Sequence, residues 1–175
     1  MTKSDIRSEM IMRRKQQNEQ EKLLKNKTII EQIKNHHAYI CAKSVALFYP
    51  MKDEVNLLEL LNEKKTFLFP RVRKDKMDFY IYHQDIKWTK SKFGVTEPDQ
   101  TETTYQKTID LMIVPALAIS MDKDRVGYGK GYYDQYISHH DITYTLGVIF
   151  DFQEVKYIKS TPNDQRLDDY IKGTL

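Results

Sequence analysis

Three glycines at alternate positions, Gly127, Gly129 and Gly131, lie within Arg125-Val126-Gly127-Tyr128-Gly129-Lys130-Gly131-Tyr132-Tyr133-Asp134, in a chain with only six glycines. Glycine at that density opens backbone conformations closed to other residues and lets main-chain N–H groups come close to a ligand. The stretch follows the most apolar run in the sequence, Ile109 to Ile119, which is expected to be a buried strand. It leads into Tyr132-Tyr133-Asp134-Gln135-Tyr136-Ile137, expected to open a helix. A strand, a glycine-rich turn and a helix N-terminus in that order favour an anion, because unpaired N–H groups and the helix dipole both attract it. Lys130 and Arg125 add positive charge, and Asp134 adds a carboxylate that could reach a metal. A flexible connection with no ligand is the competing reading.

Generic nucleotide motifs do not fit this loop. Gly129-Lys130 is followed by Gly131 rather than Ser or Thr, and position 124 is Asp, so the Walker A pattern fails. Gly127-x-Gly129-x-x-Tyr132 lacks the third glycine of the dinucleotide fingerprint.

The elements that must position this loop can be read from spacing and composition. Met1 to about Gln17 reads as a short basic helix with Ile6 and Met10 on one side and Lys3, Arg7 and Arg14 at roughly helical spacing. Asn18, with Glu21 three residues on, is an N-cap signature for a second helix whose expected buried stripe is Leu23, Leu24, Ile29, Ile30 and Ile33. Ser44 to Tyr49 reads as a buried strand ending at Pro50, and Val55, Leu57, Leu58, Leu60 and Leu61 as a helix with Asp53 or Glu54 near its start. Thr66 to Phe69 and Met77 to Tyr82 read as strands, with Pro70 and the charged stretch Arg71 to Lys76 turning between them. Trp88 to Pro98 reads as a polar loop. Ile109 to Val114 is the expected central strand and Ile142 to Phe150 another.

Composition bounds the class. With 175 residues, 40% hydrophobic and 30% charged, the chain is expected to fold as a single domain over residues 1–175. A formal net charge of +3 permits an anionic ligand without arguing for nucleic acid. Cys41 is alone, so no internal disulfide can form. No membrane-spanning run or signal peptide is expected, and a cytoplasmic location follows as the default. His36-His37 and His139-His140-Asp141 are read as helix ends rather than metal sites. The expected fold is α/β: a mixed, mostly parallel sheet flanked by helices on both faces, with the site along the strand ends.

The longer string, Pro115-Ala116-Leu117-Ala118 followed by the glycine loop through Asp134, resembles the signature of the 5-formyltetrahydrofolate cyclo-ligases, also called 5,10-methenyltetrahydrofolate synthetases. Supporting blocks match the same family: Lys3-Ser-Asp-Ile-Arg7 with Arg13-Arg14, Phe48-Tyr-Pro-Met-Lys-Asp-Glu54, Pro70-Arg71-Val72, Trp88 with Phe93-Gly94-Val95-Thr-Glu97-Pro98, and Asn163-Asp164. The resemblance spans Lys3 to Asp168.

It implies ATP-dependent cyclisation of 5-formyltetrahydrofolate to 5,10-methenyltetrahydrofolate, with release of ADP and phosphate. ATP would be the co-substrate and Mg2+ the metal. Lys3, Arg7, Arg14, Gly127, Tyr128, Gly129, Lys130, Gly131 and Tyr132 would bind ATP. Tyr49, Glu54, Trp88 and Tyr133 would face the folate, with the indole enclosing the pterin. Lys130, Arg125 and Tyr133 would serve the reaction itself, and Asp134 and Asp164 would hold Mg2+. The partners implied are small molecules, reduced folate and ATP, with no nucleic acid, no membrane and a monomeric chain. Departures occur at Ala116, Ser120, Asp124 and Gln135, where the family more often has Gly, Asp, Gly and Arg. Two alternatives stay open: a non-catalytic relative that binds folate or nucleotide, and a single-stranded nucleic-acid binder using some of the 12 tyrosines.

Overall fold

A computed structural model describes all residues, Met1–Leu175. In chain order the helices are α1 (Lys3–Lys15), α2 (Glu19–Asn35), α3 (His37–Cys41) and α4 (Tyr132–His139). The strands are β1 (Ser44–Ala46), β2 (Thr66–Arg73), β3 (Lys76–Ile81), β4 (Trp88–Lys90), β5 (Thr96–Pro98), β6 (Ile109–Pro115), β7 (Ala118–Ser120), β8 (Arg125–Val126), β9 (Ile142–Phe150), β10 (Glu154–Val155) and β11 (Asp169–Gly173).

The central sheet has the order β11-β9-β6-β1-β2-β3. Its pairings are parallel except for the antiparallel edge pair β2–β3. The mostly parallel α/β sheet expected from the sequence is therefore present. From β1 the chain moves to β2 on one side, and β6 later pairs on the other side of β1. The crevice at the C-terminal ends of β1 and β6 is thus a topological switch point, where open α/β sheets bind ligands.

Both faces of the sheet are covered. On one, Ile29, Ile30 and Ile33 of α2 and Tyr39 of α3 pack with Val45, Leu47, Phe69, Leu111, Leu146 and Phe150. On the other, Tyr136 of α4 packs with Ala46, Leu68, Met112, Val114 and Ile149. Val45, Leu111 and Ile113 fall in the first cluster and Ala46, Met112 and Val114 in the second, as the two-residue period of a strand requires; Ile109, at the start of β6, is the exception and packs with the second. Ile6 and Met10 of α1 seat that helix on Leu117, Ala118 and Val126.

Several expectations are corrected. The buried stripe of α2 runs through Lys22, Lys25, Asn26, Ile29, Ile30 and Ile33, while Leu23 and Leu24 face outwards. The lysines can lie inward because Lys22 Nζ donates to the Lys52 carbonyl at 2.8 Å and Lys25 Nζ pairs with Asp151 at 2.7 Å, so neither charge is left unpaired. Nothing in the structure covers Leu23 and Leu24.

The helix expected from Val55 does not form. Asn56 is drawn into side-chain bonding with Asn26 and Leu58, and only a 3-10 turn at Leu58–Asn62 follows. Strand β2 runs straight through Pro70, which lies past the last β1 partner at Leu68 and so costs no hydrogen bond on that side. The run Ile109 to Ile119 is two strands, broken at Ala116-Leu117, and Trp88 begins a hairpin, β4–β5, rather than a polar loop. Gly147 inside β9 makes room for β7 and the C-terminal segment: a Cβ there would stand 2.6 Å from Leu167 Cδ1. No helix is long and apolar enough to cross a membrane.

Candidate active site

The glycine loop sits where β8 delivers it, between α1 and the C-terminal end of β1. Gly129 (φ +96°) and Gly131 (φ +71°) are in the left-handed region, and Gly131 caps α4. Helix α1 lies against the loop through its basic face. Arg7 Nε donates to the Gly127 carbonyl at 2.8 Å, and its guanidinium lies beside Gly129, where a Cβ would come within 3.3 Å of Cζ. Arg14, only 5% exposed, donates from Nη1 to the Tyr128 hydroxyl at 2.7 Å and from Nε to the Asp53 carbonyl at 3.0 Å. The basic helix is amphipathic in an unusual sense: one face is apolar, and the other packs cations onto a loop of backbone.

Tyr128 in turn donates to Glu54 Oε1 at 2.7 Å, while Glu54 Oε2 accepts the Met51 N–H at 2.8 Å. Glu54 therefore folds back on its own turn and reaches the glycine loop instead of capping a helix. Burial, reinforced by the Glu54 charge, pushes the Tyr128 phenol well above its ordinary pKa, so it stays a neutral donor. Arg14, Phe48, Glu54, Val55, Pro115, Ala116, Val148 and Gln153 line a small pocket at the β1–β6 switch point.

Arg125 belongs to β8, not to the loop. Its Nη1 donates to the Pro115 carbonyl at 3.0 Å and its Nη2 meets Asp134 Oδ2 at 3.3 Å, with the Tyr133 ring 5.6 Å away from Cζ. Burial lowers its pKa, and Asp134, Tyr133 and Asp164 oppose that fall. Arg125 Nε and the Tyr133 hydroxyl are both buried without a partner. A buried polar atom without a partner is expensive, and both of these belong to residues flanking Asp134, which contacts Arg125 and follows Tyr133 in the chain. Asp134 Oδ1 accepts the Gln165 N–H at 2.9 Å, which brings the segment carrying Asp164 alongside. Asp164 Oδ2 accepts from Lys3 Nζ and from the Thr161 hydroxyl at 2.9 Å.

Trp88 lies half-buried among Tyr49 (ring centroids 5.0 Å apart), Phe69 (5.1 Å) and Tyr82 (6.4 Å). Lys130 makes no hydrogen bond or ion pair; its Nζ stands 5.6 Å from the ring centroid of Phe93 at the hairpin tip. Tyr132 and Tyr133 also pack on the α4 face of the sheet. The structure thus joins Arg7 and Arg14 of α1, the glycine loop and Glu54 in one group, and Arg125, Asp134, Asp164 and Lys3 in another, while Tyr49 and Trp88 form an aromatic cluster that reaches the loop only where Phe93 approaches Lys130.

A profile of the 5-formyltetrahydrofolate cyclo-ligase family matches residues 1–173. The chain belongs to that family. The mouse 5-formyltetrahydrofolate cyclo-ligase is 23% identical over 97% of this chain and 92% of its own length. The Mycoplasma genitalium cyclo-ligase is 27% identical over 95% of this chain and 94% of its own. The NMR structure of Aquifex aeolicus 5,10-methenyltetrahydrofolate synthetase superposes with a TM-score of 0.86 at 27% identity, covering 98% of this chain and 90% of that one.

Of the four departures expected from the sequence, two, Ser120 and Asp124, share a structural consequence. Ser120 Oγ accepts the Asp124 N–H at 3.1 Å, closing the β7–β8 turn, and the Asp124 carboxylate pairs with Arg166 through both oxygens (3.3 and 3.2 Å). That pair ties the segment bearing Asp164 to the turn preceding the glycine loop. Ala116 is buried in the α4-side core, and Gln135 is exposed on α4.

The donor chemistry suits a hard divalent ion. Asp134 is bonded to the main chain of Gln165, the residue after Asp164, and no group of three His, Cys, Asp or Glu residues lies there. Such a pair matches Mg2+, which keeps several waters and takes its remaining oxygens from phosphate.

Three residues absent from the sequence-predicted site now stand beside it. Phe93 is 65% exposed next to Lys130, and Arg71 with buried Glu97 joins β2 to the hairpin. A large aromatic beside a glycine in a polar stretch was a usable signal for Phe93; the other two depend on pairing across strands.

Proposed function

We propose that this chain performs the ATP- and Mg2+-dependent cyclisation of 5-formyltetrahydrofolate to 5,10-methenyltetrahydrofolate. The observation that carries the reading is the 2.7 Å hydrogen bond from Tyr128 to Glu54. It joins the glycine loop to the turn that follows β1, which supports a reading in which a triphosphate on one side and a formyl group on the other share a boundary. Phosphoryl transfer between two bound substrates needs that adjacency.

The loop N–H groups, Arg7, Lys130 and Lys3 hold the phosphates, and Arg125 acts beside them through its contact with Asp134. Arg7 is suited to the task because only Nε is committed to Gly127, leaving its two terminal nitrogens for an anion. Arg14 works differently from the other cations: it is turned onto Tyr128 and Glu54 and supports the loop from below. The folate lies against Tyr49, Glu54, Trp88 and Tyr133. Asp134 and Asp164 hold Mg2+, which supplies charge neutralisation for the phosphates.

A formamide oxygen is a poor leaving group. Its attack on the terminal phosphorus of ATP releases ADP and yields an iminium phosphate. N10 then adds to the formyl carbon, loses its proton, and the C–O bond breaks with phosphate leaving. No side chain needs to form a covalent bond. The protein's part is to align the formyl oxygen with the phosphorus and to offset the charge that develops there. Product formation followed by absorbance, with 5-formyltetrahydrofolate and with ATP and Mg2+ each omitted in turn, tests the reading: turnover requires all three. Turnover that persists without ATP would overturn it.

A further inference from the structure

Arg71 lies at the C-terminal end of β2, two residues beyond Phe69 and on the same face of the strand. Phe69 is the platform against which Trp88 stands edge-on at 5.1 Å. Arg71 Nη1 donates to Thr89 Oγ1 at 3.0 Å and to the Pro98 carbonyl at 2.8 Å, and faces Glu97 Oε1 at 3.3 Å. The second Glu97 oxygen accepts the Val72 N–H at 3.3 Å. Thr89 and Glu97 are opposite one another in the hairpin, so one guanidinium grips both of its strands. Its Nε is buried without a partner. An apolar side chain of similar length would fill the space without that cost, but it could not fix the hairpin in direction.

We propose that Arg71 is a positioning residue: through Thr89, Pro98 and Glu97 it sets the angle of the β4–β5 hairpin over the ends of β1 and β2, and so places the aromatic wall that receives the reduced folate. It does this without touching the substrate, and the proposal rests on the folate reading given above. The hairpin carries Trp88 at its base and Phe93 at its tip, where Phe93 meets Lys130. A tilt of the hairpin therefore moves the folate wall first and leaves the α1–glycine-loop contacts in place.

Trp88 is the single tryptophan in the chain, so tryptophan emission, excited at wavelengths the 12 tyrosines do not absorb, reports on this hairpin alone. Arg71→Met is expected to red-shift Trp88 emission, increase its quenching by acrylamide, and weaken 5-formyltetrahydrofolate binding by about ten- to a hundred-fold, with the affinity for MgATP changed far less, because the hairpin meets the nucleotide side only where Phe93 approaches Lys130. Arg71→Lys is expected to fall between, because one ammonium cannot hold both strands in a fixed fork. The double variant Arg71→Met/Glu97→Met removes the stranded carboxylate; it is expected to regain thermal stability without regaining folate affinity. Wild-type emission and folate affinity in Arg71→Met would overturn the proposal. Equal losses of folate and nucleotide affinity, or recovery of both stability and folate binding in the double variant, would reduce Arg71 to a structural role and overturn it too. A wild-type chain that binds no reduced folate would sink the functional reading and the folate part of the proposal together; unchanged versus shifted Trp88 emission in Arg71→Met separates that case from a failed clamp.

Discussion

The phenol of Tyr128 and the carboxylate of Glu54, 74 residues apart in the chain, meet at 2.7 Å, and Arg14 closes the group by donating to the same phenol at 2.7 Å. A buried cation and a buried carboxylate share one hydroxyl, and each is further held by backbone. The arrangement makes the first helix, the turn after β1 and the glycine loop one unit, so what disturbs one of the three disturbs the others.

Glu54→Ala is expected to be costly for stability. It leaves the buried Arg14 guanidinium without its countercharge, a change worth about 3–5 kcal/mol when one partner of a buried pair is removed. Glu54→Gln removes the charge as well but keeps an acceptor for Tyr128, and is expected to cost about 1–2 kcal/mol less than Glu54→Ala. Urea unfolding of the two variants checks the order; equal midpoints would contradict it.

Lys130→Ala is expected to slow turnover about a hundredfold or more, as when one preorganised donor is taken from a charge cluster. Its melting temperature should match wild type, because Nζ has no hydrogen-bond or ion-pair partner to lose. Asp134→Ala behaves differently: it strips the buried Arg125 of its carboxylate and is expected to destabilise the fold by about 3 kcal/mol. Asp134→Asn also removes the charge but retains acceptors for Gln165 and Arg125, and is expected to destabilise the fold less than Asp134→Ala. Thermal melts run beside the activity assay decide the matter.

Gly129 and Gly131 are expected to respond unequally to alanine. Both have positive φ, so each substitution costs about 1–2 kcal/mol in backbone strain. At Gly131 nothing lies within 4 Å of the added methyl, and the cost should stop there. At Gly129 the methyl meets Arg7 Cζ at 3.3 Å and displaces the guanidinium. Nucleotide titration should show weakened binding in Gly129→Ala well beyond any loss in Gly131→Ala; similar losses would count against Arg7 as a phosphate ligand.

Acid should unfold the chain partly through Asp164 and Asp110. Burial raises the pKa of each, but Lys3 and Thr161 at Asp164, and the Ser44 and Lys43 N–H groups at Asp110, outweigh it and hold both below the ordinary 3.8. A depressed carboxyl contributes stability that is complete above its unfolded value and is lost as pH falls through its folded value. Melting temperature should therefore start to fall below about pH 4, and less steeply in Asp164→Asn and Asp110→Asn. Slopes identical to wild type in both variants would show that these carboxylates do not carry the acid response.

The strands Ile109 onwards and Ile142–Phe150, the Asn18 cap and the helix after the glycine loop were legible because each rests on a local cause: an apolar run, a capping side chain, or a turn that needs glycine. The inward face of α2 was misread at Leu23 and Leu24, since hydropathy ranks leucine above lysine and cannot know that Lys52 and Asp151 wait to satisfy Lys22 and Lys25. The expected helix at Val55 had the right residues and lost to side-chain bonding from Asn26, on another element. Trp88 looked like a loop residue because β4 and β5 are three residues each, too short to show a period.

By itself the sequence determined the chemistry on offer: a glycine-rich loop with cations and an acid at set intervals, and an apolar pattern sufficient for an α/β sheet, since residue type and spacing act along the chain. Which partner each charge takes was decided only by tertiary structure. Arg14 turns to Tyr128 and Glu54, Lys3 to Asp164, Arg125 to Asp134 and Arg71 to the hairpin. Such pairings depend on which strand ends lie side by side, and a buried charge settles on the nearest group that offsets its lost hydration, however distant in sequence that group is.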